Sequence, residues 1–308
     1  MDDSHDVKNA ISGVLVVDKP VGMTSHDVVQ AIRNGTSLRR AGHTGTLDPR
    51  ASGVLVILLG PAVRLSEYVS ASDKRYQAII RLGSTTDTFD ADGRFTRPEM
   101  PINVTEEQFE EALKTFVGEI EQVPPPYSAV KVQGRKAYEL ARQGEEVDLA
   151  PRKITVHHLE VLEWAPPEVV VDVHCSSGTY VRSLANDLGA KLGTGAYLVG
   201  LRRTKSGRFS LRDAVPLRKL QESFQTGNWY QYLIPAAEAL GDWPAVELSP
   251  DDVEGIRHGH RVRAANDTKP GMVRGVSTQG ELVALLELVT GEDSTPAWQP
   301  RKVFFTSE

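Results

Sequence analysis

Gly53-Val54-Leu55-Val56-Ile57-Leu58-Leu59 is an unbroken apolar run ended by Gly60-Pro61, and no other stretch constrains the fold as much. It is too short for a comfortable helix and has no polar face, so it reads as a buried strand. The preceding segment, residues 35–50, is rich in glycine and has no hydrophobic period. A polar loop therefore rests on a buried strand, where a rigid scaffold can present polar side chains.

Other elements follow from local pattern. Gly13 to Val17 is a short apolar strand ended by Asp18-Lys19-Pro20, and Thr24-Ser25 caps a helix carrying Val28, Val29 and Ile32. Lys74 to Leu82 alternates, with Tyr76, Ala78, Ile80 and Leu82 on one face. Thr105-Glu106-Glu107-Gln108 opens a helix through Phe109, Leu113 and Phe116, closed by Gly118. After the break at Pro124-Pro125-Pro126, Arg135 to Arg142 is expected to be helical.

Ile154 to Leu162 and Val169 to Cys175 read as neighbouring strands, and Ser176 to Thr179 as the turn and cap of a helix through Leu184 and Leu188. Tyr197 to Arg203 is a further strand. Strands and helices without a βαβ rhythm indicate an α+β fold. Residues 1–12 are expected to be a disordered tail and 13–235 the main domain, with Ile234-Pro235-Ala236 and then Gly241-Asp242-Trp243-Pro244 reading as a linker. Ser249-Pro250-Asp251-Asp252 then starts a helix stopped by Gly259. With strands near Val273, Leu282 to Leu288 and Val303 to Phe305, it makes a small β-rich module over 245–308.

The net charge of −6 argues weakly against nucleic-acid binding. Its distribution is uneven, however: acids crowd at Glu106-Glu107, Glu110-Glu111 and Glu145-Glu146, bases at Arg39-Arg40, Lys74-Arg75 and Leu201 to Arg208. Such a surface permits a basic groove on an acidic protein. One cysteine, Cys175, excludes an internal disulfide. His157-His158 and His258/His260 lack carboxylates or thiolates at a ligand spacing, so no metal is expected. No apolar run is long enough to span a bilayer, and the acidic N-terminus is unlike a signal peptide, so a cytoplasmic protein is expected.

Four constellations could carry chemistry, and each has a plain structural reading. Asp48, before Pro49 in Gly42-His43-Thr44-Gly45-Thr46-Leu47-Asp48-Pro49, either projects a carboxylate or closes a turn on its own backbone. Tyr76 could stack on a base or fill the core. Arg182, at a helix start, could hold a carboxylate ionised or lie on the surface. The basic stretch Leu201 to Arg208 could meet RNA or be a solvated edge.

Taken together and in order, Asp18-Lys19-Pro20-Val21-Gly22-Met23-Thr24-Ser25, Gly42 to Gly53, Lys74-Arg75-Tyr76 with Leu82-Gly83, Pro126 to Lys131, Ser177 to Arg182 and Leu201-Arg202-Arg203-Thr204 resemble the TruB family of tRNA pseudouridine-55 synthases. The resemblance covers about residues 13–235. It implies a pseudouridine synthase domain on a mixed, largely antiparallel sheet, with a PUA-like RNA-binding domain at 245–308. It also implies a monomeric enzyme without cofactor that isomerises a uridine in the TΨC loop of tRNA. The base must be flipped from its stack, at a cost of a few kcal/mol.

By this resemblance Asp48 is the essential carboxylate, as nucleophile at base or sugar or as base at the ribose, and Arg182 is its ion-pair partner. Tyr76 stacks on the flipped uracil near the proton lost from C5, Tyr180 and Leu201 complete the pocket, and His43 fills the vacated stack. Lys131, Arg135 and Arg142 belong to an insertion, about 124–152, that grips the T arm through phosphates. A noncatalytic tRNA-binding or tRNA-folding protein on the same scaffold is the alternative. It has no need of Asp48, Tyr76 and Arg182 together.

Overall fold

A computed structural model describes residues 11–128, 130–132, 134–145, 148–265, 269–290 and 295–304. The expected tail, save residues 11 and 12, and Phe305 of the last expected strand lie outside the described residues. In chain order the first strands are β1 (Gly13–Lys19), β2 (Ala41–His43), β3 (Ala51–Leu59), β4 (Lys74–Leu82), β5 (Gly118–Gln122), β6 (Lys131–Val132) and β7 (Arg135–Lys136). They continue as β8 (Arg152–Ala165), β9 (Glu168–Cys175), β10 (Ala196–Ser206), β11 (Phe209–Ser210), β12 (Val215–Pro216) and β13 (Ile234–Pro235). The helices are α1 (Ser25–Thr36), α2 (Ser66–Ser70), α3 (Glu106–Lys114), α4 (Ala137–Arg142), α5 (Val181–Lys191), α6 (Leu217–Thr226) and α7 (Pro250–Arg257). Among the described residues no helix is long and apolar enough to cross a membrane.

The chain divides into two compact units, residues 1–49, 54–70 and 208–308 forming one and residues 50–53 and 71–207 the other. In the first, strand order is β12-β1-β3, with β13 antiparallel to β1 and β2 antiparallel to β3. Every residue from Gly53 to Leu59 is buried, as the apolar run requires. The glycine-rich segment is not wholly irregular: Ala41, Gly42 and His43 pair with Leu59, Leu58 and Ile57 as β2. A strand of three residues is too short to show a period.

The C-terminal part of this unit is a second sheet, ordered Ala245–Leu248, Met272–Ser277, Leu282–Thr290, Pro296–Val303 and Val262–Arg263. Ser249 caps α7 with a reciprocal bond to Asp252, and Pro250 occupies the first turn, as expected. Leu282, Leu285 and Phe304 share a core cluster with Val14, Val16, Val54 and Val56. Residues 234–244 are therefore not a loose linker. Ile234 pairs with Val14, and Ala236, Ala237, Ala239 and Leu240 are buried in a 3-10 turn. Arg274 holds this stretch by donating to the Ala237, Gly241 and Trp243 carbonyls. Alanines look loop-like in sequence because they carry little hydrophobic signal, yet they allow close packing here.

In the second unit the order is β3-β10-β4-β9-β8-β5, where only the start of β3 contributes. β3 and β10 are parallel; β10, β4, β9, β8 and β5 are successively antiparallel. The sheet is thus mixed and largely antiparallel, as the α+β reading required. β4 alternates as expected, and its buried face includes Lys74. Arg135 and Lys136 form β7 with β6, so the helix begins only at Ala137. The cap of α5 also differs: Tyr180 is the N-cap residue and makes no side-chain cap bond, while Ser176 Oγ accepts from the Thr155 N–H at 2.9 Å.

Gly53 fixes how closely β3 meets β10. Its φ is +98°, and a Cβ there would lie 2.2 Å from the Arg203 carbonyl oxygen, a backbone atom that cannot swing aside. Gly53→Ala is expected to cost about 3 kcal/mol or more, read by denaturant unfolding. A loss under about 1 kcal/mol would show that the two strands separate easily.

Candidate active site

Asp48 is half-buried, between two residues that are pinned. On one side Leu47, 3% exposed, donates its N–H to Ser25 Oγ at 2.8 Å and accepts the Ser25 hydroxyl on its carbonyl at 3.0 Å. On the other side the Pro49 carbonyl accepts from the Gly22 N–H at 2.8 Å and from Lys19 Nζ at 3.4 Å. Lys19 is fully buried and also donates to the Pro20 and Met23 carbonyls, at 2.9 and 2.6 Å. These carbonyls supply acceptors to an ammonium that is shut off from water.

The Asp18 to Ser25 segment thus acts as a bracket for the Asp48 loop. It also divides the capping labour. Thr24 alone caps α1, in a reciprocal box with Asp27, which frees Ser25 to hold Leu47. Behind the loop, the Thr44 N–H donates to the Val56 carbonyl at 3.1 Å. His43 ends β2, and its Nδ1 accepts the Gly45 N–H at 3.4 Å. Pinned peptide units on both sides favour a positioned carboxylate over a loose turn.

In the second unit Tyr76 is 8% exposed and registers with Arg203 of β10 and Val173 of β9. Leu201 registers with Ala78 and with Ala51. Tyr76 and Leu201 therefore stand two positions apart across adjacent strands, and Ala51 follows Asp48 by three residues in the chain. Lys74 and Arg203 are buried close by, and burial with Arg203 as neighbour pushes the Lys74 ammonium down to about 8.

Arg182 is the second residue of α5 and is nearly buried. Its Nη1 lies 3.2 Å from Asp90 Oδ2 and 3.4 Å from the Thr88 carbonyl, and its Nη2 donates to the Tyr127 carbonyl at 3.2 Å. Asp90 is itself fixed. Its Oδ1 accepts from Thr88 Oγ1 at 2.6 Å and from the Asp92 N–H at 3.0 Å, and Asp92 pairs with Arg50. The backbone around it is bonded to Leu198 of β10 on both sides. The guanidinium is thus neither a surface group nor a swinging one.

Tyr180 is held by Gln122, which is 2% exposed: Oε1 accepts the Tyr180 N–H at 2.8 Å and Nε2 donates to its carbonyl at 3.0 Å. Its ring packs against Val130, Ala137 and Leu149 of the expected insertion. Lys131 and Arg135 are exposed, and Arg135 is engaged with Glu145 and Gln143. The Arg142 side chain lies outside the described residues. Asp90, Gln122 and the roles of Lys19 and Ser25 were not found from sequence. The cue for Asp90 was the turn-rich Asp87 to Gly93, which reads as a plain loop until its contact with Arg182 is seen.

Residues 33–181 match the TruB family pseudouridylate synthase N-terminal domain, 182–240 the tRNA pseudouridylate synthase B C-terminal domain, and 243–305 the tRNA pseudouridine synthase II C-terminal domain. The chain is 41% identical over 285 residues to tRNA pseudouridine synthase B of Pseudomonas aeruginosa, covering 92% of this chain and 93% of that one. It is 43% identical over 282 residues to the Escherichia coli protein of the same name, covering 88% of each. Among solved structures it resembles a chain of a Cbf5-Nop10-Gar1 complex, with TM-score 0.74 and 30% identity over 97% of this chain and 87% of the other. A chain of an H/ACA RNP bound to a substrate RNA containing 2'-deoxyuridine gives TM-score 0.73 and 28% identity, over 95% and 85%.

Proposed function

The chain belongs to the TruB family of tRNA pseudouridine synthases, and from that premise we propose that it isomerises uridine 55 in the TΨC loop of tRNA, with the Asp48 carboxylate as catalyst. The observation that carries the assignment is the bracket around Asp48: Ser25 on Leu47, Lys19 and Gly22 on Pro49. A loop pinned through the peptide units on both sides of a carboxylate holds that carboxylate in a preorganised position.

The reaction breaks the N1–C1' bond, forms a C5–C1' bond, moves a proton off C5 and leaves one on N1. No electrons are gained or lost, so no cofactor is required. Asp48 can serve as nucleophile toward base or sugar or as base at the ribose, and each role needs it ionised. A cation facing the site keeps it so, and Arg182 is assigned that part. Tyr76 stacks on the flipped uracil, with its hydroxyl near C5, while Tyr180, Leu201 and His43 bound the pocket and the vacated stack. Lys131, Arg135 and Arg142 contact phosphates of the T arm, and such contacts weaken as salt rises. The enzyme works in the cytoplasm as a monomer, and the 245–308 module adds RNA contact.

The assignment is tested with tRNA carrying tritium at C5 of its uridines. Release of one tritium per tRNA, with the product mapped to position 55, is expected; release from another position would overturn the site assignment. Tyr76→Phe should slow turnover by about 10²-fold or more, since the hydroxyl is lost and the ring kept. An unchanged rate would restrict Tyr76 to stacking.

A further inference from the structure

Three metal-ligating side chains from separate segments meet at one end of the second unit's sheet. Asp73 immediately precedes β4, His157 lies in β8 and His174 in β9. One ligand atom of each lies within 4.8 Å of the other two. His157 Nε2 stands 3.1 Å from Asp73 Oδ2, and the two imidazole centroids are 4.8 Å apart.

The convergence has a cause in the backbone. β8 and β9 pair Val156 with Cys175 and next His158 with His174, which leaves His157 as an extra residue in the ladder. A bulge of this kind re-aims a side chain against the regular alternation, and here His157 comes beside His174. On the other side of β9, Arg75 pairs with His174 and Lys74 with Cys175, which sets Asp73 at the same end. The Asp73 carbonyl also accepts the Gly207 N–H at 2.9 Å, so this turn is held to the loop that follows β10.

We propose that Asp73, His157 and His174 form a binding site for a divalent transition-metal ion of the zinc type, with water completing its coordination. Two imidazole nitrogens and one carboxylate are donors that suit Zn²⁺, Ni²⁺ and Cu²⁺ better than Mg²⁺. Ligands about 2.0–2.1 Å from a tetrahedral zinc stand about 3.4 Å from one another. His157 and Asp73 already have that spacing, and His174 closes the rest by rotating its side chain. The His157 and Asp73 side chains are 36% and 50% exposed, so an ion can enter from solvent.

Arg75 faces the site but spends its Nε on both oxygens of Asp172, at 2.9 Å each. Arg75 and Lys205 are the cations that oppose an ion here, His158 is turned to Glu160, and Lys74 donates to the Ser72 carbonyl. None of the three ligands is among the residues assigned to the pseudouridine reaction. A bound ion would fasten β8 and β9 to the Asp73 turn and so to the end of the basic segment Leu201 to Arg208.

The full-length chain, without an added histidine tag and stripped with chelator, should be titrated with ZnCl₂ by calorimetry. One ion per chain with a micromolar dissociation constant is expected, together with a rise in melting temperature on adding zinc. His157→Gln and His174→Gln should each weaken binding by at least about tenfold and abolish the zinc-dependent rise, whereas a His258→Gln/His260→Gln variant should keep both. No uptake at about 1 mM zinc, or equal uptake by a His157→Gln/His174→Gln variant, overturns the proposal. If a variant does not fold, X-ray absorption of the zinc-loaded His258→Gln/His260→Gln chain decides: imidazole ligands support the site, and their absence refutes it.

Discussion

Asp48→Asn is expected to reduce pseudouridine formation by at least about 10³-fold while changing tRNA affinity by no more than about threefold. Asparagine keeps the volume and hydrogen-bonding reach of aspartate but does not ionise, so it can act neither as nucleophile nor as base. The substitution is also structurally mild. Leu47 is held by Ser25 and Pro49 by Gly22 and Lys19, and none of these bonds uses the Asp48 side chain. The bonds that pin Leu47 and Pro49 are therefore all kept in the variant, and activity lost at unchanged tRNA affinity reports on chemistry. Single-turnover tritium release from tRNA measures the chemical step, and filter binding measures affinity. A rate above about one tenth of wild type would remove Asp48 from catalysis. Joint loss of rate and binding would instead place the defect in folding of the loop.

The same bracket shows what the sequence could convey. Val54 to Leu59 is legible as a buried strand because strand burial is written in a local run of apolar residues, and all of it is buried. The capping boxes at Thr24, Thr105 and Ser249 are legible because each is complete within four residues. Lys19 is a different case. Its type and position suggest a surface cation, yet it is fully buried because three carbonyls, one of them thirty residues away, converge on it.

Non-local pairing hid other features for the same reason. Asp90 and Arg182 are 92 residues apart and meet at 3.2 Å. The Asp73, His157 and His174 cluster depends on a bulge that depends in turn on strand register, which no single segment encodes. Residues 234–240 were misread because alanine gives no period, although four side chains there enter the core. Family resemblance supplied Asp48, Tyr76 and Arg182 as a set, where residue chemistry alone left each with a structural alternative. The geometry adds how Asp48's neighbours and Arg182 are held.

Arg182→Met is expected to lower kcat by about 10²- to 10³-fold with a change in KM below about fivefold. Methionine retains most of the aliphatic volume in a nearly buried place but removes the donors that reach Asp90 and the Thr88 and Tyr127 carbonyls. Leaving the Asp90 carboxylate without its cation should also cost stability, on the order of 3 kcal/mol, since breaking one side of a largely buried pair strands the other. Part of that penalty is relieved because Asp90 still accepts from Thr88 and from the Asp92 N–H. Asp90→Asn separates stability from catalysis. If Asp90 works by orienting Arg182, Asp90→Asn should lower kcat strongly when Arg182 is present and hardly at all in the Arg182→Met background. Equal losses in both backgrounds would show that Asp90 acts independently of Arg182.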